Sequence, residues 1–444
     1  MNSDANLTAR SARRRIAVRL LPYLFVMYVI CYVDRANVSF ANLRMSADLG
    51  FSDRAYGLGV GMFFIGYVLF EVPGSLMVER WSARKWIARI MVTWGMATIL
   101  TGFVHTARHF YAARFFVGMA EASFFPGVIV YLTHWFRKQD RAKAIASFYI
   151  AVPTATVFGS LIANWLLGVH WRGLSGWRWI FIVEGIPPIV LGVVTIFYLT
   201  DRPMQAKWLT SAEREWITRE LEQETLAKKR VRDYTILEAF CDRQIILVMT
   251  VFFFGLMGAL SSTYWVPTFI KRISGLPNST VTWLVALPGL IGIVAMLVNA
   301  WHSDKTGERR WHAAVPLFLA GTAHLLLLIQ RQNVAGSLSL LIIGGGLMFA
   351  YYPVFWSIPT MVLTESAAAA CFGLITSVGQ SGGFVGPYAV GYLNQRSGSL
   401  LPAFALIGGS YLVAAFILST MRLRVPGTAS TSMLATEKTV AAGS

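Results

Sequence analysis

Charge is scarce in this sequence. Asp, Glu, Lys and Arg make up only 14% of its 444 residues, against 55% hydrophobic residues. A soluble chain of this length needs roughly twice that charged fraction to coat its surface. Cysteine is scarcer still: Cys31, Cys241 and Cys371 stand far apart, which excludes a disulfide framework and a metal-ligand spacing. His105, His109, His170, His302 and His312 form no cluster, so no metal site is expected. A phosphate-cradling glycine loop is lacking, which disfavours an ATP-driven pump, and no clustered nucleophile or cofactor motif marks a membrane enzyme. Acids are fewer than bases, 22 against 39, for a net charge of +17. The bases form no stripe interleaved with aromatics, so no nucleic-acid partner is expected.

What the sequence does have is apolar length. Runs of about 20 apolar residues recur, each able to cross ~30 Å of hydrocarbon at ~1.5 Å per residue. In lipid every backbone polar group must be satisfied within its own segment, so such runs are helices. Twelve are read, at 19–40, 56–78, 86–106, 111–133, 142–167, 178–200, 244–269, 281–301, 312–330, 336–362, 368–393 and 401–421. The fold class is an all-α membrane protein of twelve transmembrane helices. Arg10, Arg13, Arg14, Arg15 and Arg19 precede the first run, but Asp34 and Arg35 interrupt it and no small-residue cleavage site follows. The first helix is therefore read as uncleaved. With a cytoplasmic N-terminus, 28 of the 39 Lys and Arg fall on the inner side and 9 on the outer, with Arg35 and Arg114 inside the membrane. That asymmetry places both termini in the cytoplasm.

The expected organisation is a basic tail over 1–18, a six-helix bundle over 19–200, a linker over 201–243, a second six-helix bundle over 244–422 and a disordered tail over 423–444. Thr210-Ser211-Ala212-Glu213 reads as a capping box that starts a surface helix reaching to about Leu226. An internal repeat supports the division. Glu79-Arg80-Trp81-Ser82-Ala83-Arg84-Lys85-Trp86 and Asp304-Lys305-Thr306-Gly307-Glu308-Arg309-Arg310-Trp311 share one pattern of acid, base, spacers, two bases and Trp. Each occupies the same inner loop of its own half. Two parallel six-helix repeats joined by a cytoplasmic connector are the plan of a rocking secondary transporter.

Those loops resemble the signature of the major facilitator superfamily, with Ser82 where a Gly is usual in the first copy. The stretches "YVDRANVSFANLRMSADLGFS" (32–52), "FFIGYVLFEVPGSLMVERWSARKWIARIMVTWG" (63–95), "RFFVGMAEASFFPGVIVYLTHWF" (114–136) and "GGFVGPYAVGYL" (382–393) resemble the anion:cation symporter family. That family includes tartrate, phthalate, aldonate and hexuronate carriers. The resemblance implies carboxylate substrates and, in bacteria, proton-driven uptake across the inner membrane.

Independently of the family, ionisable groups at membrane depth cost about 2.5–3.5 kcal/mol each on insertion scales and need a reason. Six stand out: Asp34, Arg35, Glu71, Arg114, Glu121 and Glu184. Arg114 and Glu121 are seven apart on one helix face, about 10 Å along it, too far for a direct ion pair. Gly118 between them leaves room on that face. Arg suits a carboxylate, because its planar fork donates two parallel hydrogen bonds and stays charged. Arg35 and Arg114 are therefore expected to bind the anion, and Glu121 and Asp34 to carry the coupling proton. Asp34 and Arg35 point roughly 100° apart, so one can face the cavity while the other meets a neighbouring helix. The plain alternative for each of these residues is a tie between helices. Glu71 is read as pairing near Arg84 and Lys85, and Glu184 as pairing with Arg178 or Arg172.

The resemblance also implies that Tyr67 and Trp356 face substrate, and that Thr376 and Gln380 stand where the family usually has Asn. Glu79, Arg80, Arg84, Asp304, Lys305 and Arg309 are expected to act as gating loops. The functional expectation is a secondary transporter importing a small organic anion (a hydroxy, sugar or aromatic acid) by proton symport. Its partners are the anion, protons and the lipid of the inner membrane, and it works as a monomer without a cofactor. A proton-coupled drug antiporter is the alternative of nearest mechanism. Such exporters usually carry Gly-Pro in the fifth helix, whereas this chain reads "AVPTATVFGSLIANW" there and has Gly386-Pro387 in the eleventh. A transporter-like sensor or a membrane enzyme is more remote.

Overall fold

The computed structural model describes residues 2–228, 242–330, 333–362 and 365–421, and no strand occurs among them. These residues trace twelve passes. In the first half they are α1 (Asn2–Leu49), α2 (Asp53–Arg80), α3 (Ala83–Thr101), α4 and α5 (Ala107–Glu121, Phe124–Thr133), α6 and α7 (Lys138–Tyr149, Ala151–Leu167), and α8 and α9 (Gly176–Glu184, Ile186–Tyr198). The connector helix α10 (Ser211–Lys228) follows. The second half holds α11 (Arg243–Ser274), α12 (Asn278–Thr306), α13 (Arg310–Leu326), α14 to α16 (Val334–Leu347, Tyr351–Phe355, Ile358–Val362), α17 (Glu365–Ser397) and α18 (Leu401–Thr420).

A proline follows each break within a pass, while Pro22, Pro73, Pro267, Pro288, Pro316 and Pro387 lie inside unbroken helices. Proline cannot donate to the carbonyl four residues back, and its ring crowds that carbonyl. Pro126 follows the break at Ala122–Ser123, Pro153 that at Ile150, Pro187 and Pro188 that at Gly185, and Pro353 and Pro359 those in the tenth pass. Ser123 sits in the left-handed region with φ of 70°, and its hydroxyl donates to the Phe70 carbonyl. A broken pass inside a membrane protein exposes backbone and side chains to a cavity or a neighbour, and that is where function concentrates.

The two halves meet along three seams: α2 on α17, α7 on α12, and α1 on α11. Within the halves, small residues allow the same close approach at repeat-related places, Gly95 against Gly185 and Gly321 against Gly408. Leu69, Phe158, Val294, Phe318 and Phe416 are among the exposed apolar side chains of the lipid-facing belt, with exposed Trp81, Trp301 and Trp311 toward one end and Trp165, Trp171 and Trp283 toward the other.

The end carrying α10 is the linker face, and the opposite end the far face. The capping box forms as expected: Thr210 N donates to Glu213 at 2.9 Å and Glu213 N to Thr210 Oγ1 at 3.3 Å. The helix docks through Arg15–Glu213 at 3.1 Å, Arg137–Glu220 at 2.9 Å and Arg141–Glu224 at 2.9 Å. Residues 2–18, expected as a tail, are instead the start of α1. Their basic side chains extend the helix onto α10, where Ser11 and Arg15 both reach Glu213. The tail over 423–444 lies outside the described residues.

Candidate functional site

The two halves enclose a central cavity of ≈ 50 Å³, lined from the first half by Tyr32, Arg35, Ala36, Val152 and Thr156 and from the second by residues that include Tyr264, Tyr352 and Gln380. Among the described residues Arg35 is its one charged lining group. Its Nε donates to Glu121 Oε1 at 2.6 Å, with the two side chains 9% and 0% exposed. Cys31, one turn earlier on α1, donates its thiol to the same oxygen at 3.1 Å. The guanidinium is boxed by aromatic faces: Tyr67 at 5.0 Å, Tyr32 at 5.2 Å and Phe63 at 5.3 Å. Glu121 is the last residue of α4, so the break after it lets the carboxylate reach across to α1.

Arg114 occupies a different position from the one expected. It is 1% exposed and does not line the cavity. Both arginines neighbour the Phe63 ring, Arg35 at 5.3 Å and Arg114 at 4.9 Å from its centroid. Gly118 explains the approach: a Cβ there would collide with the Phe63 backbone, so α2 packs tightly on α4 and carries Phe63 in. Arg114 Nε and Nη2 have no hydrogen-bond partner, and its charge acts on Asp34. Asp34 likewise points away from the cavity, accepting from Asn37 at 3.0 Å through Oδ1.

Tyr67 covers Arg35, while Trp356 stacks on Tyr149 at 6.3 Å across the halves. Gln380 lines the cavity with its Oε1 unpartnered, as is the Tyr264 hydroxyl. Thr376 donates to the Gly373 carbonyl at 2.8 Å and neighbours Glu71. Two pairings read from the sequence are corrected. Glu71 accepts from Ser377 of the other half at 3.0 Å rather than pairing with Arg84 or Lys85. Glu184 meets Asp34 and Asn37, because Arg178 is engaged by the Gly102 and Val104 carbonyls at 2.7 and 3.1 Å.

The cavity is sealed at both ends. Toward the far face, Arg272 donates two hydrogen bonds to Asp53, Asn42 to Thr268 at 3.0 Å, and Thr282 to Asn164 at 3.0 Å. Toward the linker face, Tyr149 stacks on Tyr352 at 6.2 Å and Ser377 holds Glu71. Ligand pockets run to about 300–1,000 Å³, so this is an occluded state that must expand to admit an organic acid.

Residues 24–387 match the Major Facilitator Superfamily. The chain belongs to this superfamily. It is 40% identical over 429 residues to a protein of Agrobacterium vitis named "Putative tartrate transporter", covering 96% of this chain and 97% of that one. It is 34% identical to a "Quinolone resistance transporter" of Acinetobacter baumannii over 87% and 89% of the two chains. The fold matches the xylose transporter XylE from E. coli with a TM-score of 0.69 at 13% identity, over 90% and 97% of the chains. The protein is thus a membrane-embedded secondary transporter and not an enzyme.

Both superfamily signature loops lie at the linker face, and both tie down their own half. The backbone N–H of Arg84 donates to Asp201 at 2.9 Å, as does the Ser82 hydroxyl at 2.6 Å. Arg309 donates to Asp304 at 2.6 Å and to Ser303 at 2.9 Å, and Lys305 sits 5.3 Å from the Trp301 ring. The Ser82 substitution is explained: Ser82 is an N-cap with φ of −92°, whereas Gly307 ends α12 with φ of +69°, where a side chain is strained. The side chains of Glu79 and Arg80 lie outside the described residues.

Proposed function

We propose that this transporter imports a small organic carboxylate by proton symport, through alternating access across the bacterial inner membrane. The linker face, with both termini, is cytoplasmic in this reading, and the protein works as a monomer. The observation that carries it is the Arg35–Glu121 pair beside the cavity. A proton and an anion can each replace one partner of that pair. Protonation of Glu121 releases Arg35 for an anion, and an anion on Arg35 releases Glu121 for a proton. The two ligands therefore help each other bind, which is the reciprocal coupling a symporter requires. In an antiporter they would compete.

The polar groups of the cavity wall support a hydroxylated or aromatic acid. Gln380 and Tyr264 offer hydrogen-bonding atoms that the protein itself leaves unpartnered, and Tyr32 and Tyr352 offer ring faces. The name of the Agrobacterium vitis relative points to a dicarboxylate. A second reading, export of a drug bearing a carboxylate against protons, is favoured by the name of the Acinetobacter baumannii relative alone. A panel of tartrate, sugar acids, aromatic acids and a quinolone, read as thermal stabilisation of the purified protein, tests the substrate class. A true ligand at 100 times its Kd adds ~2.7 kcal/mol. Stabilisation by acids that strengthens as pH falls supports symport, and stabilisation that weakens as pH falls supports exchange.

A further inference from the structure

Behind α1, away from the cavity, lies a second group of ionisable side chains that the exchange at Arg35 does not use. Asp34 is 1% exposed and Glu184 is 5% exposed. Asp34 Oδ2 and both Glu184 oxygens lack a hydrogen-bond partner. The side chains that act on Glu184 are Asp34 and Asn37 of α1, which packs on α8. Facing Asp34 are Glu121 and Arg114 of α4 and the uncharged Thr98 and Trp94 of α3. Among the described residues Arg114 is thus the one cation acting on these two carboxyl groups, and it acts on Asp34.

Glu184 is also the last residue of α8, at the break before Gly185 and the Pro187-Pro188 pair. The end of a helix carries roughly −0.5 of an elementary charge, which repels a carboxylate. A desolvated carboxylate beside a second carboxyl group, with an amide but no cation acting on it, is not sustained as a charge in a protein interior. Glu121 sits at a helix end of the same kind, but Arg35 compensates it. Among the described residues no cation acts on Glu184, and Asn37 is its one polar uncharged neighbour.

We propose that Glu184 is a proton-carrying residue of the transport cycle, sharing one proton with Asp34 beside Asn37. The proton moves between carboxyl oxygens: Glu184 gives it up as an acid and Asp34 receives it as a carboxylate, leaving the charge of the pair unchanged. Asp34 also adjoins Glu121, so it is the middle member of a three-carboxyl series running from α8 toward the cavity. This assignment rests on the proton-coupled reading above, and its test has an arm that does not.

That arm is infrared spectroscopy of the purified full chain near neutral pH, comparing the parent with Glu184→Gln. The carbonyl band of protonated carboxyls should lose the intensity of one group, and an unchanged band overturns the proposal. The second arm is tartrate uptake into proteoliposomes under a tenfold proton gradient, where each coupled proton multiplies accumulation by up to about tenfold. Glu184→Gln should accumulate about tenfold less than the parent while exchanging tartrate at the parental rate, and Glu184→Asp should recover accumulation. Parental accumulation by Glu184→Gln, or loss of exchange in Glu184→Gln and Glu184→Asp alike, assigns Glu184 to structure instead. If the parent itself accumulates no tartrate, the tartrate-symport reading fails and the infrared arm alone decides the shared proton.

Discussion

Replacing Glu121 by Gln removes the charge that holds Arg35 while keeping the shape of the side chain. In the parent, an anion arriving at Arg35 must displace a carboxylate 2.6 Å from Nε in a site 9% and 0% exposed. At an effective dielectric of about 20, two unit charges ~4 Å apart attract by about 4 kcal/mol. The incoming carboxylate recovers most of that with the same guanidinium. The net penalty is therefore the smaller coupling energy, about 1–3 kcal/mol, or roughly 5–150-fold in affinity. Glu121→Gln should bind the anion that much more tightly than the parent near pH 8. The two should converge as pH falls, because a proton on Glu121 does what the substitution does. Calorimetric titration of a substrate from the acid panel, at several pH values, measures this. A Glu121→Gln protein whose affinity follows the parental pH curve would show that Arg35 is not released by Glu121.

Gly118→Ala should unfold at lower temperature, by about 1–3 kcal/mol, because its Cβ collides with the Phe63 backbone; calorimetric scanning of purified protein checks it. Breaking the far-face latch with Asp53→Asn should shift the carrier toward far-face opening by no more than about fivefold, since the pair is partly exposed; labelling of a cysteine placed at Tyr264 reports the opening. At the linker face, burial works to raise the Glu213 carboxyl, yet hydrogen bonds from Ser11 and Thr210 and the charge of Arg15 bring it below the ordinary glutamate value. Its contribution to docking α10 is therefore present above about pH 4.3 and lost as pH falls through the depressed value. Spin labels on α10 should stay immobile from about pH 5 to 8 and loosen in stronger acid.

Much of this molecule is legible in the sequence. Apolar run length gives the passes, the repeated Trp-ended loops give the two halves, and the capping box gives the start of α10. Asp34, Arg35, Glu71, Arg114, Glu121 and Glu184, singled out as charges at membrane depth, are all buried. Their partners were less legible, because helical pitch fixes a face but not the helix that faces it. Arg35 meets Glu121 from 86 positions away, and Glu184 meets α1 rather than its sequence neighbour Arg178. Part of the site is nonetheless marked by spacing. Cys31 and Arg35, like Phe63 and Tyr67, are four apart and so share a face. Prolines 126, 153, 187, 188, 353 and 359 mark the breaks, including the two that place Glu121 and Glu184 at helix ends. The reach of α1 down to Asn2 had no such mark, since its basic residues are stabilised by docking on α10 rather than by an apolar stripe.

The sign of proton movement decides between import with protons and export against them. Proteoliposomes holding a pH-sensitive dye, with no gradient imposed, are given an external anion from the acid panel. Symport acidifies the interior as the anion enters, and Glu121→Gln abolishes the acidification while preserving anion exchange. Alkalinisation of the interior, or anion entry with no pH change in the parent, contradicts symport through the Arg35–Glu121 pair.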